Sequence, residues 1–254
     1  ISKYAALSKP VDILGKVPGM SSHRWLSRIP EYNPFKYNSF PVNAGWQSYR
    51  FSTYLQDKIA VAHKHHQLQK LPPVLTFQSL RDTTVNTDAI EKHFYRLLPK
   101  NDSELVVFDI NRHDNFVPLM KPSALKSLHD IFGAGPYPYH FVKIANHDGS
   151  TMEVSEWRQP SGEMTMTERP LGLAFPPGVF SLAHVSVPFP PDDPTFGIEP
   201  NLNEFYGIRL GDVQLRGESD TVIIKAAAGM RLYSNPFYQY MEERIFDWLE
   251  VPTP

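Results

Sequence analysis

Asp82 lies one turn beyond the apolar run Val74-Leu75-Thr76-Phe77-Gln78, in the stretch Ser79-Leu80-Arg81-Asp82-Thr83-Thr84-Val85. A carboxylate just past the carboxyl end of a parallel strand sits where ligands and catalytic groups gather in open α/β sheets. There it can accept the Nδ1–H of a histidine, fix the tautomer and stabilise the imidazolium. The plainer role for Asp82 is to cap the turn that leads into the next helix. Two histidines compete as its partner. His113 follows the run 104–110 in Asn111-Arg112-His113-Asp114, one strand–helix–strand step beyond Asp82, and the local pattern slightly favours it. His184 stands in Leu182-Ala183-His184-Val185-Ser186, ahead of a proline-rich loop. The plainer roles are a solvated loop residue for His113 and a hydrogen-bonded core residue for His184.

A serine nucleophile on this kind of sheet needs a Gly-x-Ser-x-Gly elbow, whose strained strand-to-helix turn lifts the hydroxyl towards the base. The sequence has none: Gly19-Met20-Ser21-Ser22-His23 carries only the first half, with no strand before it. The chain order Ser, acid, His of such hydrolases would place the elbow upstream of Asp82, where no convincing strand pair exists. His63-Lys64-His65-His66 could bind a metal, but imidazoles beside a lysine on a helix tail more often form a solvated end. Asp192-Asp193 lacks companion ligands. There is no glycine-rich phosphate cradle and no His-Glu-x-x-His. With no cysteine at all, a disulfide framework, a thiolate zinc site and a cysteine nucleophile are excluded.

These residues must be held by a folded core. The 254 residues are 41% hydrophobic and 20% charged, a globular balance. The 25 Lys+Arg against 27 Asp+Glu give a net charge of −2, which argues against a nucleic-acid partner held by phosphate neutralisation. No apolar run is long enough to span a membrane as a helix. The 24 prolines lie mostly in connecting stretches. Periodicity predicts a helix over 46–67, a strand over 74–78, a second helix capped by Asn86, Thr87 or Asp88, and a strand over 104–110. This strand–helix–strand unit implies parallel strands. The region 116–180 reads as an antiparallel insertion, with a short helix through Ala124–Ile131 and a hairpin at Asn146-His147-Asp148-Gly149. Residues 178–186 read as strand-like. Phe237, Tyr240, Met241, Arg244, Ile245, Trp248 and Leu249 form the strongest helical stripe.

Three stretches resemble the C-terminal part of a bacterial α/β-hydrolase of the serine aminopeptidase/lysophospholipase-like branch. They are Tyr37–Ala44, Pro73–Val85 and Glu104–Arg112, and Leu182–Phe189 with Asp192–Gly197 resembles the segment bearing that group's catalytic histidine. The resemblance implies an α/β-hydrolase fold over 1–254 as a single domain, incomplete at its N-terminus, with 116–180 inserted in it. It implies that Asp82 is the triad acid and moves the base from His113 to His184. It implies no cofactor. The family's first strands, oxyanion loop and serine elbow have no counterpart here, so a serine from an N-terminal segment outside this chain would complete the triad. The expected reaction is hydrolysis of a carboxylic ester, a short acyl ester or lysophospholipid. The rival is a non-catalytic α/β-hydrolase-like binding or interaction protein.

Overall fold

The computed structural model describes residues 13, 24–28, 37, 39–126, 131–133, 135–211, 217–218, 221–222 and 232–250. Two compact units divide the chain, residues 1–65 and 66–254.

In the first unit, strands β1 (Trp25–Ser27) and β2 (Phe40–Pro41) pair antiparallel. Helix α1 (Val42–Lys64) follows directly. Proline suits the position before it, since its missing N–H would find no intrahelical acceptor there. Trp46 and Tyr49, one turn apart, stack with ring centroids 5.9 Å apart.

In the second unit, five strands form one sheet in the order β3-β4-β5-β6-β7. They are β3 (Leu75–Ser79), β4 (Glu104–Phe108), β5 (His140–Asn146), β6 (Glu153–Gln159) and β7 (Thr167–Ala174). The β3–β4 and β4–β5 pairs are parallel, and β5–β6 and β6–β7 are antiparallel. This is an α/β architecture with a mixed sheet. The antiparallel strands continue the parallel sheet, because β5 pairs parallel to β4 on one side and turns back into β6 on the other. The alternation along β5 allows this: Val142 and Ile144 join the core on one face, and Phe141 joins it on the other.

Helix α2 (Thr87–His93) connects β3 to β4. Asn86 Oδ1 accepts the Ala89 N–H at 3.0 Å, satisfying a donor that the first helical turn leaves orphaned. The helix is shorter than its apolar period, because Phe94 leaves helical geometry and a 3-10 turn at Tyr95–Leu97 completes the stretch. Tyr95, Leu98, Leu105, Val107, Phe132 and Tyr139 build the core on this side. Helix α3 (Tyr238–Leu249) covers the opposite face, where Tyr240 and Met241 join Val106, Phe108, Val142 and Val154. All five residues of β4 are buried, as a strand covered on both faces requires. The short helix expected through Ala124–Ile131 falls partly on 127–130, outside the described residues.

A buried carboxylate ties α3 to the sheet. Glu104, at the start of β4, accepts from Arg244 Nε at 2.7 Å and lies 2.8 Å from Arg158 Nη1 of β6. Beside it, Glu156 accepts from the Tyr240 hydroxyl at 2.7 Å and from Arg169 at 3.0 Å. Burial alone would raise the Glu156 carboxyl, but the Tyr240 hydroxyl and Arg169 outweigh it and hold the group below its ordinary value.

Candidate functional site

The parallel strands β3 and β4 deliver Asp82 and Asn111 to the same edge, the carboxyl end of the sheet. Residues 178–186 pass over that edge and do not form a strand. Their backbone is met end-on: the Asn111 N–H and Nδ2 donate to the Phe180 and Val179 carbonyls at 2.8 and 2.9 Å, and Ser79 Oγ donates to the Leu182 carbonyl at 2.8 Å. Apolar residues in an extended run suggested strand pairing. Instead the short polar side chains at the strand ends take up the carbonyls of this segment, which meets the burial requirement for backbone groups equally well. The crossing carries the chain from β4 to β3 and sets His184 two residues beyond the contact with Ser79.

His184 occupies a turn that its neighbours lock. The Ser186 N–H donates to the Ala183 carbonyl at 3.0 Å, and Ser186 Oγ both donates to that carbonyl and accepts from the Ala183 N–H. The loop after it is tied to the start of α3, since Asn235 donates from its side chain to the Val187 carbonyl and from its backbone to that of Phe189. The His184 side chain remains 20% exposed, while Glu218 beside it is fully buried. The Nδ1 atom of the ring lies 2.6 Å from Glu218 Oε2, and the His184 N–H donates to the same oxygen at 3.0 Å. When Glu218 is ionised its carboxylate only accepts, and Nδ1 is then the donor. The neutral ring then carries its lone pair on Nε2, as a general base requires.

Glycine makes this contact possible. A Cβ at Gly217 would lie 2.2 Å from the Phe180 ring and 2.6 Å from Ser181 Oγ, which no side chain tolerates. With no Cβ there, the backbone closes in until the Glu218 N–H donates to Ser181 Oγ at 2.8 Å. The carboxylate is thereby aimed at His184 from a segment distant in sequence.

Asp82 stands at the same edge of the sheet but is engaged by its own turn. Its Oδ1 accepts the Thr84 and Val85 N–H groups at 2.7 Å each, and its Oδ2 lies 3.1 Å from Gln78 Nε2. Among the described residues the ring of His184 is hydrogen-bonded to Glu218 and not to Asp82. His113 lies in a separate turn, where Nδ1 accepts the Asn115 N–H at 3.1 Å, a bond that places its neutral-ring proton on Nε2. Its neighbours form a polar girdle: Arg112 bridges both oxygens of Asp109, and Asn146 links Asn111 to the Arg112 N–H. Asp193 caps the proline-rich loop through the Thr195 and Phe196 N–H groups. Among the described residues no three His, Asp or Glu side chains group as metal ligands, and none of the described helices is long and apolar enough to cross a membrane.

Sequence reasoning missed Glu218. The one trace of it is a glycine directly before a carboxylate, and its meaning depends on Phe180 and Ser181, which only folding brings alongside. It also missed the exposed pair His147–Glu168, 2.6 Å apart across the β5–β6–β7 meander. No protein-family model, curated protein or solved structure matches the chain.

Proposed function

We propose that this chain is the C-terminal part of a serine hydrolase of α/β-hydrolase type that cleaves small carboxylic esters or lysophospholipids. His184 Nε2 takes the proton from a serine hydroxyl carried on a segment outside this chain, as the serine oxygen attacks the ester carbonyl. The imidazolium then returns that proton to the departing alkoxide, and water hydrolyses the acyl-enzyme by the same proton path. The reading is carried by one observation: a partly exposed imidazole at the carboxyl edge of the parallel strands, held through Nδ1 by a buried carboxylate at 2.6 Å. The resemblance of 182–197 to the histidine segment of such hydrolases supports the assignment of the reaction.

The need for a companion segment has its own support in the sheet. The β7 edge carries Glu168, Arg169, Pro170 and a register irregularity, devices that keep an edge from pairing further. The opposite edge, β3, is Leu75-Thr76-Phe77-Gln78-Ser79, with neither charge nor proline.

The test is hydrolysis of p-nitrophenyl acetate and butyrate, with fluorophosphonate labelling, by the protein expressed with the full coding sequence upstream of Ile1. His184→Ala should lower kcat by roughly a thousandfold or more, while His113→Ala leaves it within about twofold. No labelled serine in the complete protein, or full activity in the His184→Ala variant, rules the reading out. The second reading, a non-catalytic binding or interaction protein, draws on the absence among the described residues of any hydroxyl bonded to the His184 ring. It is the outcome if labelling fails.

A further inference from the structure

The geometry points to Glu218, and not Asp82, as the positioning residue for His184. This rests on the reading of His184 as a general base and changes which carboxylate serves it. Three observations carry the assignment. One oxygen of Glu218 lies 2.6 Å from the ring Nδ1 and also accepts the backbone N–H of His184, so the carboxylate fixes the ring relative to its own main chain. The group is fully buried, where a charge is retained only with partners at short range. Its approach is built in by Gly217, where a Cβ would strike Phe180, and by Ser181, which accepts the Glu218 N–H.

Asp82 makes the complementary case. Its Oδ1 closes two turn hydrogen bonds and its Oδ2 faces Gln78, which is also within reach of Thr87 Oγ1 and the Val85 carbonyl. Turning the carboxylate towards His184 would leave the Thr84 and Val85 N–H groups without their acceptor. Asp82 therefore shapes the β3–α2 turn, and the hydrogen bond that selects the tautomer of His184 comes from the far segment.

The test is nitrogen-15 and proton NMR of the imidazole in the 254-residue chain labelled at histidine. In the native chain the neutral His184 ring should be the Nδ1–H tautomer, with that proton far downfield, as a charge-assisted bond to a carboxylate demands. Glu218→Gln keeps the volume and removes the charge, so the downfield signal should be lost or moved upfield. Asp82→Asn should leave it in place. In the complete protein, Glu218→Gln should also lower kcat by roughly a thousandfold or more with KM unchanged. An Nε2–H tautomer in the native chain, which needs no variant to fold, overturns the assignment. So does an Asp82→Asn change as large as that of Glu218→Gln. Because the NMR signature is independent of turnover, its presence in a protein without esterase activity would leave this pairing standing and remove the hydrolase reading alone.

Discussion

Replacing Glu104 by Gln tests whether the buried carboxylate anchors α3 to the sheet. The Glu104 side chain is fully buried, whereas Arg158 and Arg244 are 28% and 22% exposed. Glutamine fills the same volume and is cheaper to desolvate, but it cannot accept from both guanidinium groups as a carboxylate does. A hydrogen bond to a charged group contributes about 1.5–3 kcal/mol, and Glu104 takes several. Part of this returns when the two partly exposed guanidinium groups rehydrate, and part through the easier burial of the amide. The net cost should be about 2 kcal/mol, below the ~3–5 kcal/mol of an ion left buried without a partner. In a unit of this size each kcal/mol lowers Tm by about 2–4 °C, so the variant should melt about 4–8 °C lower. Thermal unfolding followed by circular dichroism measures this. Arg169→Gln, on a residue 64% exposed, should cost under about 1 kcal/mol. A Glu104→Gln loss below about 0.5 kcal/mol, or one no larger than that of Arg169→Gln, refutes the anchoring argument.

The hydrogen bond from Glu168, and then its charge, raise His147 above its ordinary value of 6.5, so its NMR titration midpoint should exceed 6.5 and fall back in Glu168→Gln. A raised midpoint means that the histidine contribution is complete below pH ~6.5 and is lost as pH rises through the folded midpoint. Glu168, lowered chiefly by its bond to His147, works the other way: its contribution holds above its ordinary 4.5 and is lost as pH falls through the depressed value. A His147 midpoint at or below 6.5 with Glu168 intact contradicts the pairing. For the β3 edge, the chain alone should run above its 29.0 kDa mass in light-scattering chromatography, and the outward amides of Leu75 and Phe77 should gain protection from exchange when a strand is added. A monodisperse monomer in which those amides are already protected would show that this edge needs no partner.

How much of this was legible in the sequence follows from the range of the interactions. The strands at 75–79 and 104–108, the cap at Asn86 and helix α3 are local matters of period, propensity and capping, and all four were readable within a residue or two. The α3 stripe includes Arg244, and its place on this face is explained by Glu104, which accepts from its Nε. The role of β5 was less legible. A hairpin signal at its end says that β6 pairs with it, but nothing in 140–146 tells whether its other side meets β4. Residues 178–186 were misread because an extended apolar run has the same pattern whether it pairs along a strand or crosses strand ends. The difference lies in Ser79 and Asn111, whose side chains reach the carbonyls of a segment far along the chain.

The site shows the same limit in sharper form. A strand delivers Asp82 by local rules, and so it could be found. His184 reaches the edge only because the segment before it is hung from the ends of β4 and β3, while the loop after it is tied through Asn235 to the start of α3. Its carboxylate partner arrives through a third approach, set by the missing Cβ of Gly217. An imidazole positioned from three directions has few orientations left, and the buried Glu218 oxygen selects among them by contacting the ring Nδ1 and accepting the main-chain N–H together. Such over-determination holds the ring in place without help from a bound ligand. It also means that loosening α3 at Glu104 should be felt at His184, through Asn235 and the Val187 carbonyl, although no hydrogen bond joins the two residues directly.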